Sequence, residues 1–259
     1  AMHERAYLPD KISGASAGIG RATALRVAAS GAYVLLVARS SERLDAVKKE
    51  IERIGGKAPV YVADLARTDQ CDALIEQILE EHGGVDILVN NAGRSIRRSL
   101  ELSYDRFHDF ERTMQLNYFG AIKLILGFLP GIREQRSGQI LNVSSIGVQT
   151  YVPRYSAYAA SKAALDTFAM CAAAELADDQ IAITTIHMPL VKTDMIAPTE
   201  MYRGLRAISP ERAAGMICDA IIQRPRRVST LLGVTSQITH AAAPAVFVGG
   251  TRMLYRLFL

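Results

Sequence analysis

Short apolar runs rich in valine and isoleucine alternate along the chain with longer stretches in which apolar residues recur at helical spacing. The short runs lack strict alternation with polar residues, which is typical of strands buried on both faces of a sheet. They predict strands at Tyr33–Ala38, Ala58–Val62, Val85–Val89, Gln139–Val143, Ile181–His187 and Val228–Leu232. The longer stretches predict helices at Gly18–Ser30, Ser41–Ile54, Thr68–Glu81, Tyr104–Leu129, Ser156–Ala177 and Pro210–Gln223.

This alternation of strands and helices predicts the fold class, because a strand that returns through a helix forms a parallel sheet with helices on both faces. We expect an α/β fold with a Rossmann-like, doubly wound parallel sheet of about seven strands. We expect a single domain over residues 1–259, with an apolar C-terminal extension at 232–259. Only Lys11-Ile12 precedes the first glycine-rich turn as a strand, so either the first strand is very short or residues are missing before Ser13. We expect missing residues there and more chain after Leu259.

Composition narrows the class of protein. Of the 259 residues, 49% are apolar and 22% charged, which is typical of a globular protein with a substantial core. The net charge of +4 suits a phosphate-bearing ligand. The sequence lacks the dense basic stretch and the aromatic platform that are typical of nucleic-acid-binding proteins. Cys71, Cys171 and Cys218 are far apart, which predicts no disulfide, no metal site and a cytoplasmic location. No signal peptide and no membrane-spanning run is visible.

A glycine-rich turn opens the first predicted helix at Ser13–Gly20. Glycine permits a tight turn and close approach to phosphate, and the helix offers its free N–H groups to an anion. A purely structural loop is the alternative for such a turn taken alone. Its place at the start of the α/β alternation favours dinucleotide binding. The residues expected to contact the cofactor here are Gly14, Ser16, Gly18, Ile19 and Gly20.

Arg39 ends the next predicted strand, where an acidic residue would bind the ribose of NAD. An arginine at this position favours the 2′-phosphate of NADP(H), and Arg43 lies one turn further on. The alternative is a solvated arginine in a loop. Asp64 and Leu65 follow the third strand and are expected at the adenine, although Asp64 or Thr68 could instead cap a helix.

Four further residues are candidates for catalysis. Tyr158 and Lys162 are four apart on one helix face, and a nearby ammonium is expected to move the pKa of the phenol toward neutrality. Ser145 ends a predicted strand and offers a hydroxyl to a developing oxyanion. Asn117 lies within a predicted helix, where asparagine is unfavourable without a specific role. With Asn90–Gly93, these residues are expected at the carboxyl ends of parallel strands, where such sheets bind ligands.

These motifs, in this order and spacing, resemble the short-chain dehydrogenase/reductase family over essentially the whole chain. The resemblance implies a catalytic tetrad of Asn117, Ser145, Tyr158 and Lys162, with Asn117 positioning a proton-relay water. It also implies that Tyr158 and Lys162 contact the cofactor, with Lys162 on the nicotinamide ribose. Further cofactor contacts are implied for Asn91, Ala92, Gly93 and Thr193. The chain departs from the family at Ser13, usually threonine, and at Met188-Pro189, usually Pro-Gly, which weakens the assignment of Thr193.

Longer runs, at residues 91–98, 106–120, 188–193 and 195–199, look like the reductase domain of bacterial fatty acyl-CoA reductases. That resemblance implies NADPH-dependent reduction of a long-chain acyl-CoA to the aldehyde, or of the aldehyde to the alcohol. The alternatives are a reductase of the same fold acting on a steroid, a polyol or a 3-oxoacyl group, and a non-catalytic NADP(H)-binding module. The intact tetrad argues against the module.

Two features bear on the partners of the protein. Arg94, Arg97 and Arg98 could meet the phosphates of coenzyme A, or form a solvated loop or a subunit contact. The apolar tail could line an acyl tunnel, lie on a membrane surface as a peripheral contact, or pack on the core or on another subunit. By family analogy we expect a homodimer or homotetramer.

Overall fold

A computed structural model describes residues 10–197, 199, 202 and 204–257 of the chain. Within these residues a sheet of seven parallel strands has the order β3-β2-β1-β4-β5-β6-β7. The strands are β1 (Asp10–Ser13), β2 (Val34–Ala38), β3 (Val60–Val62), β4 (Ile87–Asn90), β5 (Gly138–Ser145), β6 (Ile181–Met188) and β7 (Arg227–Val228). The predicted doubly wound α/β fold is confirmed. The order reverses between β1 and β4, and the carboxyl ends at such a point form a ligand-binding crevice.

Helices connect the strands. They are α1 (Gly18–Ala29), α2 (Ser41–Arg53), α3 (Thr68–His82), α4 (Phe107–Met114), α5 (Ala121–Glu134), α6 (Gly147–Thr150), α7 (Ser156–Glu175), α8 (Pro210–Gln223), α9 (Leu231–Ala242) and α10 (Pro244–Leu257). A π-helical segment, Gln115–Gly120, joins α4 to α5. Short 3₁₀ turns lie at Glu101–Ser103 and Ala177–Asp179.

The sheet is covered on both faces, as β2 shows. Val34 and Leu36 pack into a core shared with α1, α2 and α8, whereas Leu35 and Val37 pack into a second core shared with α3, α5 and α7. Successive side chains of a strand point to opposite faces, so a strand between two helical layers is expected to be mainly apolar on both faces, as β2 is. Each fully buried side chain of this kind contributes about 1.5–3 kcal/mol.

The helix predicted at Tyr104–Leu129 was wrong at both ends. Helical structure begins at Phe107 and continues through α5 to Glu134, with Pro130 inside the helix. A proline removes one backbone hydrogen bond, and here that loss does not end the helix. No described helix is long and apolar enough to cross a bilayer.

The strand predicted at Val228–Leu232 was also wrong, because β7 ends at Val228. The Thr230 side chain accepts a hydrogen bond from the backbone N–H of Gly233 at 3.2 Å and so caps α9. Leu231 and Leu232 belong to the first turn of that helix. The apolar tail is therefore a pair of helices, α9 and α10, along its described length.

Candidate active site

A cavity of about 1240 Å³ lies at the carboxyl ends of the strands. The loops after β1 to β6 form its floor, and α9 and α10 contribute an outer wall. Most residues selected from the sequence line this one cavity: Gly14, Ser16, Gly18, Ile19, Arg39, Asp64, Leu65, Asn91, Ala92, Gly93, Ser145, Tyr158, Lys162 and Thr193. Gly20 and Asn117 are outside this lining set.

The glycine turn is pressed against the loop after β4. Gly14 has a φ of +66°, and a Cβ there would lie 2.9 Å from the Ala92 Cα. A Cβ on Gly20 would overlap the Gly14 carbonyl oxygen. The Asn91 side-chain amide donates to that same oxygen at 3.3 Å. Only glycine meets both the positive φ and the close approach, so the turn holds its shape through backbone contacts.

The N-terminus of α1 points the same way. Its N-cap residue is Ala17, whose methyl side chain has no acceptor for the first N–H groups of the helix. Those donors and the positive end of the helix dipole form a site for an anion. A Cβ on Gly18 would lie 2.9 Å from the Thr193 Cγ2, which places Thr193 beside the turn.

Two exposed arginines, Arg39 and Arg43, line the far end of the cavity. Ser40 accepts a hydrogen bond from the Arg43 backbone N–H at 3.4 Å and caps α2 between them. Asp64 also lines this end, and its carboxylate accepts from Ala66 N at 3.0 Å. Neither Asp64 nor Thr68 caps α3, because the helix begins at Thr68 with Arg67 as its N-cap residue.

Asn117 lies in the π-helical segment and is 1% exposed. Its Oδ1 accepts from the Arg94 N–H at 2.7 Å, and its Nδ2 donates to the Arg94 carbonyl at 2.9 Å and to Ser161 Oγ at 2.9 Å. A Cβ on Gly93 would lie 3.3 Å from Asn117 Oδ1 and 3.4 Å from Lys162 Nζ. The asparagine therefore fixes the loop after β4 next to the lysine, and π-helical turns often mark such functional positions.

Tyr158 and Lys162 occupy the first turns of α7, facing the end of β5. Lys162 Nζ donates to the Val143 carbonyl at 2.7 Å, and burial lowers the pKa of Lys162 to about 8. Burial raises the pKa of Tyr158, and a hydrogen bond with Ser145 lowers it in part. The expected shift of the tyrosine toward neutrality was wrong for the protein by itself, because desolvation penalises the phenolate more than the serine stabilises it.

Three residues that belong to no sequence motif also line the site. Tyr202 OH donates to Tyr155 OH at 2.5 Å, the two rings stack at 6.3 Å, and Tyr155 meets the Tyr158 ring edge-on at 6.4 Å. Arg97 lines the cavity, and its buried Nε has no hydrogen-bond partner among the described residues. Sequence reasoning missed both tyrosines, because loop residues of this kind follow no spacing rule.

The arginines of the loop after β4 lie in different environments. Arg97 faces the cavity, whereas Arg98 Nε binds the buried Asp109 carboxylate at 3.1 Å. The same carboxylate binds Arg106 Nε at 3.2 Å and Arg112 Nη2 at 2.9 Å. Arg98 therefore anchors the loop to α4, and of Arg94, Arg97 and Arg98 only Arg97 contributes to the described cavity wall.

A buried polar network holds α9 beside the site. His187 Nε2 lies 3.0 Å from Asp166 Oδ2, and its Nδ1 lies 3.1 Å from Ser229 Oγ. The Gln149 amide donates to Ser229 at 3.1 Å and to Gln237 at 3.0 Å. The network ties α6, α7 and β6 to α9, and with it the outer wall of the cavity.

Comparisons with known proteins agree with this geometry. The sequence model of the short chain dehydrogenase family matches residues 11–202. A fatty acyl-CoA reductase of Acinetobacter baylyi is 54% identical over 235 residues, 91% of this chain and 80% of that protein. A fatty acyl-CoA reductase of Mycobacterium tuberculosis is 42% identical over 234 residues, 90% of this chain and 80% of that protein. A structure of a metagenomic short-chain oxidoreductase in complex with NADP has a TM-score of 0.72 at 28% identity, covering 86% of this chain and 98% of that one.

Proposed function

Because the chain belongs to the short-chain dehydrogenase family, we propose that it is an NADPH-dependent reductase that converts a long-chain fatty acyl-CoA to the fatty aldehyde. The observation that carries the substrate is the lining of the cavity. The cavity that contains Tyr158 is also lined by large apolar side chains: Ile146, Val152, Leu190, Met195, Ile196, Leu205, Leu232, Phe247 and Leu254. Apolar walls of this extent suit an alkyl chain, since each buried methylene contributes about 0.8 kcal/mol. Two relatives carry the name fatty acyl-CoA reductase, which supports the same substrate.

The residues present fit NADPH. The uncapped N-terminus of α1 and the glycine turn suit a pyrophosphate, and Arg39 with Arg43 suits a 2′-phosphate at the other end. When bound, NADPH supplies hydride to the carbonyl carbon. The related structure that contains NADP supports the preference for the phosphorylated cofactor.

Side chains of the protein then bind and protonate the carbonyl oxygen. Ser145 and Tyr158 are hydrogen-bonded to each other, so both hydroxyls can meet one oxygen atom. The raised pKa of Tyr158 keeps its phenol protonated at neutral pH, which suits a proton donor in the direction of reduction. With a pKa of about 8, Lys162 is mostly an ammonium at pH 7, and from the next turn of α7 it would stabilise the phenolate that remains.

The products follow from balanced chemistry at the thioester. Hydride adds to the carbonyl carbon, Tyr158 protonates the oxygen, and a thiohemiacetal results. Its collapse breaks the carbon–sulfur bond and releases an aldehyde and the thiol of coenzyme A. Arg97, whose guanidinium faces the cavity with a buried Nε, is the residue we assign to the coenzyme A phosphates.

The test is NADPH oxidation with palmitoyl-CoA and, separately, with hexadecanal. Tyr158→Phe is expected to lose roughly 10²–10⁴-fold in kcat, the usual contribution of a general acid. Tyr104→Phe, at a tyrosine that is 86% exposed outside the cavity, is the matched control and is expected to be fully active.

Other outcomes separate the alternatives. Turnover of hexadecanal but not of palmitoyl-CoA would make the protein an aldehyde reductase. Turnover of only a 3-oxoacyl thioester, a steroid or a polyol would replace the proposed substrate. NADPH binding without turnover of any of these would indicate a non-catalytic module.

A further inference from the structure

The last two helices expose an unusual amount of apolar surface. Leu231 is 80% exposed, Ile238 62%, Val246 70% and Met253 65%. The exposed apolar residues of α9 and α10, here called the C-terminal apolar face, are Leu231, Leu232, Val234, Ile238, Val246, Val248, Met253 and Leu254. Single exposed apolar residues are ordinary, but eight of them on two consecutive helices favour a contact with a membrane or another macromolecule.

The charged side chains beside this face are all positive. The helices α9 and α10 contain no aspartate or glutamate and two arginines, Arg252 and Arg256. Arg252 and Arg256 are exposed one turn apart on α10, next to Met253 and Leu254. Apolar side chains flanked by arginines on a helix are the pattern that binds the interface of an anionic lipid bilayer.

The C-terminal apolar face also borders the mouth of the cavity. Leu232 and Leu254 are 63% and 52% exposed, and both line the cavity that contains Tyr158. Phe247, Thr251 and Tyr255 line the cavity from the same helix, α10. Because Leu232 and Leu254 are exposed and also line the cavity, an alkyl chain could pass from a lipid layer into the cavity along these side chains.

We propose that the C-terminal apolar face docks on an anionic lipid surface and that the long-chain substrate enters the cavity from the bilayer. The docking proposal depends on the exposure and charge of the C-terminal apolar face. The entry of substrate from the bilayer rests in addition on the proposed function. A second copy of the chain is a poorer occupant, because a two-fold contact would bring the same cationic helix against itself. Anionic headgroups instead complement Arg252 and Arg256, the two charged residues of α9 and α10.

The experiment is flotation of the full protein with vesicles of phosphatidylcholine alone and of phosphatidylcholine mixed with phosphatidylglycerol. The protein is expected to float with the anionic vesicles and much less with the neutral ones. Because each basic residue near an anionic surface strengthens binding, Arg252→Gln with Arg256→Gln is expected to weaken binding by about thirtyfold.

Ile238→Glu tests the apolar part against Ile54→Glu. Ile54 is 54% exposed and follows α2. The helix α2 packs beside β3, which is the edge strand opposite β7 in the sheet. Ile238→Glu is expected to abolish flotation and Ile54→Glu to leave it unchanged. Equal loss in both variants, or no flotation of the unmodified protein, overturns the proposal. So does sedimentation that shows a dimer which Ile238→Glu dissociates, because the face then binds a second copy.

Activity without vesicles separates this proposal from the proposed function. Reduction of a short-chain, water-soluble acyl-CoA is expected to be the same for Ile238→Glu and the unmodified protein. Flotation without any acyl-CoA turnover would overturn the substrate and leave lipid docking standing. Turnover without flotation would overturn docking alone.

Discussion

The half of the cavity that we assign to the cofactor and the half that we assign to the substrate are built from different kinds of residue. Small residues line the first half, among them Gly14, Ser16, Ala38, Ala63 and Gly93. Large apolar side chains wall the second, including Met195, Leu205 and Phe247. A ligand recognised by backbone groups requires particular small residues at particular positions, whereas an alkyl chain requires only apolar volume. The first half is therefore expected to be intolerant of change, and the second to be adjustable.

The largest contrast is expected at the glycine turn. Gly20→Ala places a Cβ on the Gly14 carbonyl oxygen, so the turn must shift. We expect a loss of about 1–3 kcal/mol in the free energy of unfolding, as for other overpacked sites, together with loss of measurable NADPH binding. Thermal unfolding and NADPH fluorescence titration measure the two effects.

Gly131→Ala is the matched control for that substitution. Gly131 lies in α5 with no atom within 4 Å of its added Cβ. Alanine is expected to be neutral or stabilising there. Unchanged NADPH binding in Gly20→Ala would contradict a turn shaped by backbone contact.

Cofactor choice is expected to depend on the charge at the end of β2. Arg39→Ala removes a cation from the proposed 2′-phosphate position, and a hydrogen bond to a charged group contributes about 1.5–3 kcal/mol. We expect the Kd for NADPH to rise about 10- to 100-fold and the Kd for NADH to change little. Arg53→Ala, at an exposed arginine later in α2, is the control. Equal weakening of both cofactors would argue against a 2′-phosphate contact.

Binding of NADPH is expected to weaken as the pH rises from 7 to 9, because Lys162 has a pKa of about 8 and is charged only below it. The expected rise in Kd is about three- to tenfold. Tyr158 is not the cause, since its raised pKa keeps it protonated over this range. Lys162→Met is expected to bind more weakly with a flat pH profile. An unmodified protein with a flat profile would contradict a lysine that holds the cofactor.

The smallest effect is expected in the apolar wall. Phe247→Ala removes a ring whose centroid lies 5.8 Å from that of Tyr151 and 5.4 Å from that of His240. The KM for palmitoyl-CoA is expected to rise about three- to tenfold through lost apolar contact, with the Kd for NADPH unchanged. Phe107→Ala, at a ring 72% exposed outside the cavity, should change neither. An equal loss of NADPH affinity in Phe247→Ala would show that the two halves are not independent.

The same contrast explains what could be predicted from the sequence. The glycine spacing at Ser13–Gly20 and the pair of Tyr158 and Lys162 express backbone and helix geometry, so their positions are readable without a structure. Strand runs such as Ile181–His187 were also readable, because burial on two faces favours apolar and β-branched residues over strict polar alternation.

Other features depend on contacts that sequence spacing does not encode. The Tyr155 and Tyr202 pair joins the start of α7 to a distant loop, and the pKa of Tyr158 depends on burial. The apolar tail was compatible with a tunnel, a membrane or a subunit contact, because the sequence did not show which of its apolar side chains are exposed in α9 and α10.

The most direct test of the proposed reductase is the ratio of thiol released to NADPH oxidised with palmitoyl-CoA as the substrate. The proposed chemistry predicts one free coenzyme A thiol for each NADPH oxidised, with hexadecanal as the product, and loss of both signals in Tyr158→Phe. Oxidation of NADPH without release of thiol would contradict the proposal, because the carbon–sulfur bond would then remain intact.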